Sequence, residues 1–237
     1  MARRPRSTAE SSAGGAPPPL GTPRERIIEA FMALLAEQSF ERIGLADIAT
    51  RAGVSLSELR AEFGSPLAIL AAHVKEIDRQ VLAEIDPDMA EEIPRERLFD
   101  VLMRRLELLA PHKDAMRSLV RSARVNPGLA LALNNLAVRS QQWMLTAAGI
   151  GASGPKGMMR AQGLAVLYAN VLRTWVDDVE EGQARTLAAL DRELGRGQRF
   201  AGLLDDLFAI PERLCQLTRR RREPRDDPRP REDEVAV

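Results

Sequence analysis

Residues 43–70, IGLADIATRAGVSLSELRAEFGSPLAIL, constrain the fold more than any other stretch of the chain. Leu45, Ile48, Ala49 and Ala52 recur at helical spacing, and Gly53 then breaks the pattern. Val54 fills the elbow. Ser55 or Ser57 is placed to cap a second short helix whose expected buried face is Leu56, Leu59 and Phe63. Two helices crossing steeply through a glycine-containing turn of about three or four residues make a helix-turn-helix unit. In such a unit the second helix, here from Ser55 to Phe63, is the one built to enter a nucleic-acid groove.

The rest of the sequence is also patterned for helices. Apolar residues make up 45% of its 237 residues but aromatic ones only 4%, and long runs of Val, Ile, Thr and Tyr are absent, so the expected fold class is all-α. Thr22-Pro23 opens a first helix over about 24–38, with Ile27, Ile28, Phe31, Leu34 and Leu35 on one stripe. Ser65-Pro66 opens a fourth, carrying Leu67, Leu70, Val74, Ile77, Val81 and Ile85, and Asp86-Pro87 ends it. Pro94 and Pro111 start the next two, and Asn126-Pro127-Gly128 opens a long one that ends near Ala148. The glycine-rich stretch 149–157 reads as a loop before helices over about 156–177, 182–195 and 199–218. The expected organisation is a loose tail over 1–22, a helix-turn-helix head over 23–65, a helical body over 66–218 and a charged tail over 219–237.

Several function classes find no support in the residues. Lys plus Arg and Asp plus Glu both number 34, so no global charge bias exists. Cys215 is the single cysteine, which fits a cytoplasmic protein without disulfides and, lacking a neighbouring histidine pattern, gives no nucleophile. His73 and His112 lie far apart in sequence with no cysteine beside them, so no metal site is expected, and His73 reads as a surface or interface histidine. No glycine-rich phosphate loop occurs, no run of 18 apolar residues exists to span a membrane, and the basic N-terminus lacks the apolar stretch of a secretory signal. An enzyme is not expected, nor is a cofactor.

Helix one, Leu45-Ala46-Asp47-Ile48-Ala49, Ala52-Gly53-Val54-Ser55, Leu59, and Phe63-Gly64-Ser65 followed by Leu67 and Leu70 together resemble the TetR family of bacterial transcriptional regulators over about 60 residues. The resemblance implies sequence-specific DNA binding as a homodimer, with Arg42, Arg51, Ser55, Leu56, Ser57 and Arg60 as the groove-facing residues and the N-terminal Arg3, Arg4 and Arg6 within reach of a minor groove. The departures fall on that face. Leu56 and Pro66 stand where the family usually has lysine, and Arg60 and Glu62 where it usually has aromatics. Residues 24–79 carry seven basic and nine acidic side chains, a poor balance for phosphate contact.

For the body, the resemblance implies an apolar cavity that binds a small effector. Trp143, Met144, Tyr168 and Trp175 are its candidate lining, and ordinary core packing fits the same side chains. The implied dimer surface is a four-helix bundle drawn from the helix at 156–177 and one of the last two helices. It would set two recognition helices one groove period apart, roughly 34–36 Å. A ligand that favours a different spacing would then weaken DNA binding. Residues 167–194 are also similar to the lipid-binding protein of ubiquinone biosynthesis, which has a TetR-like fold. That alternative implies a lipid or isoprenoid ligand, a vestigial head, and contact with a membrane surface through residues 199–218, where an apolar face precedes a basic cluster.

Overall fold

The computed structural model describes residues 21–180 and 182–199. Among them are nine α-helices and no strand. In chain order these are α1 (Pro23–Glu37), α2 (Leu45–Ala52), α3 (Leu56–Glu62), α4 (Pro66–Ala83), α5 (Pro94–Leu109), α6 (Lys113–Val125), α7 (Pro127–Ala147), α8 (Gly154–Trp175) and α9 (184–199). Most of the N-terminal tail, the helix expected over 199–218, Cys215 and the charged tail lie outside the described residues.

The boundaries follow local chemistry. Thr22 accepts from the Glu25 amide while the Glu25 carboxylate accepts from the Thr22 amide, a capping box that fixes the start of α1. Gly53 closes α2 with φ +62° and ψ +40°, a left-handed conformation that glycine adopts without a Cβ clash. Proline stands at or beside the first residue of α1, α4, α5, α7 and α8, where its missing amide is not needed. The loop expected over 149–157 ends earlier than its glycines indicate. Gly154 and Gly157 are the first turn of α8, and Gly157 is there for space: a methyl group on it would run into the backbone of Ala152.

The described contacts group into two units. The first contains residues up to Ile77 and Leu109–Leu129, hence α1 to α3, most of α4, and α6. Ile27, Phe31, Leu35, Ile48, Leu59, Phe63 and Leu70 form its core, and the Phe31 and Phe40 rings meet edge to face at 6.2 Å. Each such side chain removed from water contributes roughly 1.5–3 kcal/mol. Helix α6 packs along α1 with a polar seam. Ser118 donates to the Gln38 carbonyl at 2.8 Å, and the Phe40 amide donates to Ser122 at 3.2 Å. The sequence draws the head at 23–65, whereas this unit takes in a segment from 109 to 129 because α6 supplies partners for the backbone that leaves α1.

His73 is in this unit too, and it is buried at 4% exposure rather than lying at a surface. Its ring meets that of His112 edge to face with centroids 4.8 Å apart, and His112 Nε2 lies 3.7 Å from Glu29 Oε1. Among the described residues no cluster of three metal-binding side chains forms.

The second unit contains Asp78–Leu108 and the described chain from Ala130 onward. Leu102, Leu106, Met144, Leu164, Tyr168, Val171, Trp175 and Leu190 are buried there. Asn134 and Gln162 exchange a reciprocal amide pair at 3.0 and 2.9 Å between α7 and α8. Asp178 accepts from the Thr186 amide and hydroxyl at 2.9 and 2.7 Å, tying the turn after α8 to the first turn of α9. Ile85, expected on the stripe of the fourth helix, lies beyond the end of α4 and is exposed.

Candidate nucleic-acid interface

Helix α3 owes its start to Ser55. Its hydroxyl accepts from the Glu58 amide at 3.2 Å, and the Glu58 carboxylate accepts from the Ser55 amide and hydroxyl, both at 2.7 Å. Of the two serines that could cap, Ser55 does so. Ser57 lies beside it, with the two hydroxyl oxygens 3.1 Å apart. Leu59 and Phe63 point into the core and hold the helix down.

The opposite side of α3 is open. Leu56, Ser57 and Arg60 are exposed. The sequence puts Leu56 on the buried face with Leu59 and Phe63, and the structure corrects this: Leu56 is 58% exposed. Periodicity places it at the edge of the buried face, but as the first residue of the helix it is left uncovered. Leu45, expected on the buried stripe of α2, is likewise 39% exposed at that helix's first position.

Four of the acidic side chains that weigh against phosphate binding are engaged within the protein. Glu58 is held below the ordinary glutamate range, chiefly by the Ser55 amide and then by the Ser55 hydroxyl. Glu62 pairs with Arg24 at 3.4 Å, and Arg24 also lies over the Phe63 ring at 4.6 Å. Glu37 binds Arg51 through two hydrogen bonds, which lower the Glu37 pKa and raise that of Arg51. Glu41 accepts from Asn126 at 3.1 Å.

The same pairing removes cations. Arg51, a candidate for DNA contact, is committed to Glu37. Arg26 donates to the carbonyls of Ala52 and Gly53, each at 3.2 Å, and so closes the end of α2. Of the candidate arginines, Arg42 and Arg60 are exposed with no carboxylate partner among the described residues. The Arg60 guanidinium lies over Gly64, with one nitrogen 3.3 Å from where a Cβ would stand. Arg3, Arg4 and Arg6 lie outside the described residues.

The four candidate ligand residues of the body divide. Met144, Tyr168 and Trp175 are buried, whereas Trp143 is 58% exposed. Trp143 lines a surface groove of about 770 Å³ with Gln142, Thr146, Ser153, Pro155 and Met158. Tyr168 has neighbours that no sequence pattern groups with it. Asp78 accepts from Arg105 and from Ser140, both at 2.8 Å, and the Arg105 guanidinium lies 5.4 Å from the centre of the Tyr168 ring. The Tyr168 hydroxyl is buried without a hydrogen-bond partner among the described residues, and burial, opposed in part by Arg105, raises its pKa, so it stays protonated at neutral pH. An uninterrupted apolar stripe would have flagged core positions; Asp78 and Arg105 break theirs, and only tertiary pairing makes them interior residues.

No helix among the described residues is long and apolar enough to cross a membrane. Of the segment expected at a membrane surface, 199–218, all but its first residue lies outside them.

No family model and no curated protein matches the sequence. Solved structures do. A TetR transcriptional regulator from Nitrosomonas europaea superposes with a TM-score of 0.59 at 24% identity, covering 75% of this chain and 99% of that one. A TetR transcriptional regulator from a Rhodococcus species gives 0.51 at 23% identity over 73% and 96% of the two chains. The fatty acid degradation regulator of Bacillus halodurans gives 0.53 at 19% identity over 75% and 97%. What is shared at these identities is the fold: the chain has the all-helical fold of TetR-type transcriptional regulators.

Proposed function

We propose that the chain is a transcriptional regulator that binds DNA as a homodimer and is modulated by a small apolar ligand. The observation that carries the reading is the outer face of α3, where Leu56, Ser57 and Arg60 are exposed on a helix anchored from beneath by Leu59 and Phe63. A helix held this way presents side chains to base edges without unfolding anything. Arg42 supplies a cation for the phosphate backbone.

Two further features support the rest of the proposal. Leu131, Trp143, Met158, Met159 and Val166 are large apolar side chains left exposed on α7 and α8, as on a surface that a second copy covers. The Tyr168 hydroxyl, buried with no hydrogen-bond partner among the described residues, offers a polar hydrogen to an effector that is otherwise apolar. A ligand that prefers one spacing of the two heads changes DNA affinity by the difference in its own affinity for the two spacings.

The test is binding of the full chain to duplex DNA from upstream of its own gene, against random duplex, at two salt concentrations. Specific binding should exceed random binding at both salts, and both should weaken as salt rises. Arg42→Ala should lower affinity for both duplexes alike. Equal binding of the two duplexes at both salts, together with co-sedimentation on liposomes, would end the regulator reading in favour of lipid binding.

A further inference from the structure

The arrangement on α3 also says which bases the helix can read, an inference that rests on the DNA-binding reading above. A recognition helix of this length has few side chains to spend on base edges, and the structure removes most of them. Glu58, which would otherwise accept from a cytosine amino group, has its carboxylate turned to the Ser55 amide and hydroxyl. Glu62 is on Arg24. The Ser57 hydroxyl is drawn toward Ser55. Leu59 and Phe63 are in the core.

Besides Ser57 and the small Ala61, two long exposed side chains remain, and they are four residues apart on one edge of the helix. Leu56 carries an apolar group that the fold leaves in water. Arg60 carries a guanidinium with no carboxylate partner among the described residues, laid over the bare backbone of Gly64. Positions four apart stack along one helix face. In the major groove the one apolar feature of a base edge is the thymine 5-methyl group, and the strongest target for a guanidinium is the O6 and N7 pair of guanine.

We infer that α3 reads a thymine methyl with Leu56 and a neighbouring guanine with Arg60, so that each half-site carries a closely spaced T and G. Gly64 is a positioning residue: it leaves the floor on which the Arg60 side chain lies. No carboxylate on α3 is available to demand a cytosine on the strand being read.

The experiment starts by selecting binding sites for the full-length protein from a randomised duplex pool. Affinity for the selected duplex is then measured with single-atom changes in the DNA. Replacing the thymine by uracil removes only the methyl group and should weaken the wild type about four-fold, the worth of one buried methyl. The Leu56→Ala variant should not notice the replacement. Replacing the guanine by 7-deazaguanine should weaken the wild type, and Arg60→Ala should be insensitive to it. Against the other three bases at that position, the wild type should discriminate from about five-fold to about a hundred-fold, and Arg60→Ala should lose this. Gly64→Ala should reduce the guanine preference and keep the thymine preference. Both substituted side chains are exposed, so the variants remain folded by circular dichroism. An equal uracil penalty in wild type and Leu56→Ala, or guanine discrimination retained by Arg60→Ala, overturns the inference while leaving DNA binding standing. A selection that returns no preferred sequence overturns the regulator reading and the inference together.

Discussion

Two ion pairs of the same chemistry lie in the two units and carry very different weight. Arg51 meets Glu37 with both side chains largely in water. Arg105 meets Asp78 at 2.8 Å with both side chains buried and Ser140 donating to the same carboxylate oxygen. Water screens the first pair, and holding two long side chains in register offsets much of its attraction. In the second, each ion has left water, so the partner left behind by a deletion has nowhere to place its charge. The contrast runs through the molecule. The ends of α2 and α3 are set largely by short-range devices, caps that reach three residues and one glycine turn, although Arg26, Arg24 and the serines of α6 reach this unit from farther along the chain. The body depends on polar groups that meet across long stretches of chain.

Asp78→Ala is the sharpest way to break this comparison. It should cost about 3–5 kcal/mol in urea unfolding, because Arg105 is then buried unpaired. Replacing both residues with apolar ones of similar volume should recover most of that loss. If Asp78→Ala costs no more than a surface substitution, the two pairs are equivalent and the contrast fails. Gly157→Ala comes next. The added methyl meets the Ala152 backbone, which must move, and the expected loss is about 1–3 kcal/mol in the same measurement. Ser55→Ala removes a cap from α3 and should cost about 1 kcal/mol of thermal stability.

Arg51→Ala should have the smallest effect, and its conditions are diagnostic. Glu37 is held below its ordinary value by Arg51, so the pair contributes at pH values above the glutamate range and its contribution disappears as the pH falls through that range. The advantage of wild type over Arg51→Ala should therefore shrink both in acid and in high salt. An advantage that persists in 1 M salt would mean that Arg51 acts by packing and not by charge.

The same division explains what could be read from the residues alone. Thr22, Gly53, Ser55 and the prolines at helix starts act within a few residues of themselves, so the order and approximate bounds of α1 to α8 were legible. Tyr168 and Trp175 lie on a regular apolar stripe and were legible as interior residues. Asp78, Arg105 and His73 were not, because their partners are set by tertiary packing and their own types argue for a surface. Trp143 misled in the other direction: its apolar surface argues for the interior, yet it lies exposed in a groove. On α3, sequence could count Glu58 and Glu62 as charges but could not show that each is already spoken for.

The seam between α1 and α6 limits how this protein can be recombined. A chimera that transplants only the first 65 residues onto another protein of this fold would leave the Gln38 carbonyl and the Phe40 amide without the serines that serve them. It would also bare the side of α1 on which α6 packs. The transferable cassette is therefore discontinuous, and a graft that keeps its fold has to bring residues 109–129 along with the N-terminal helices.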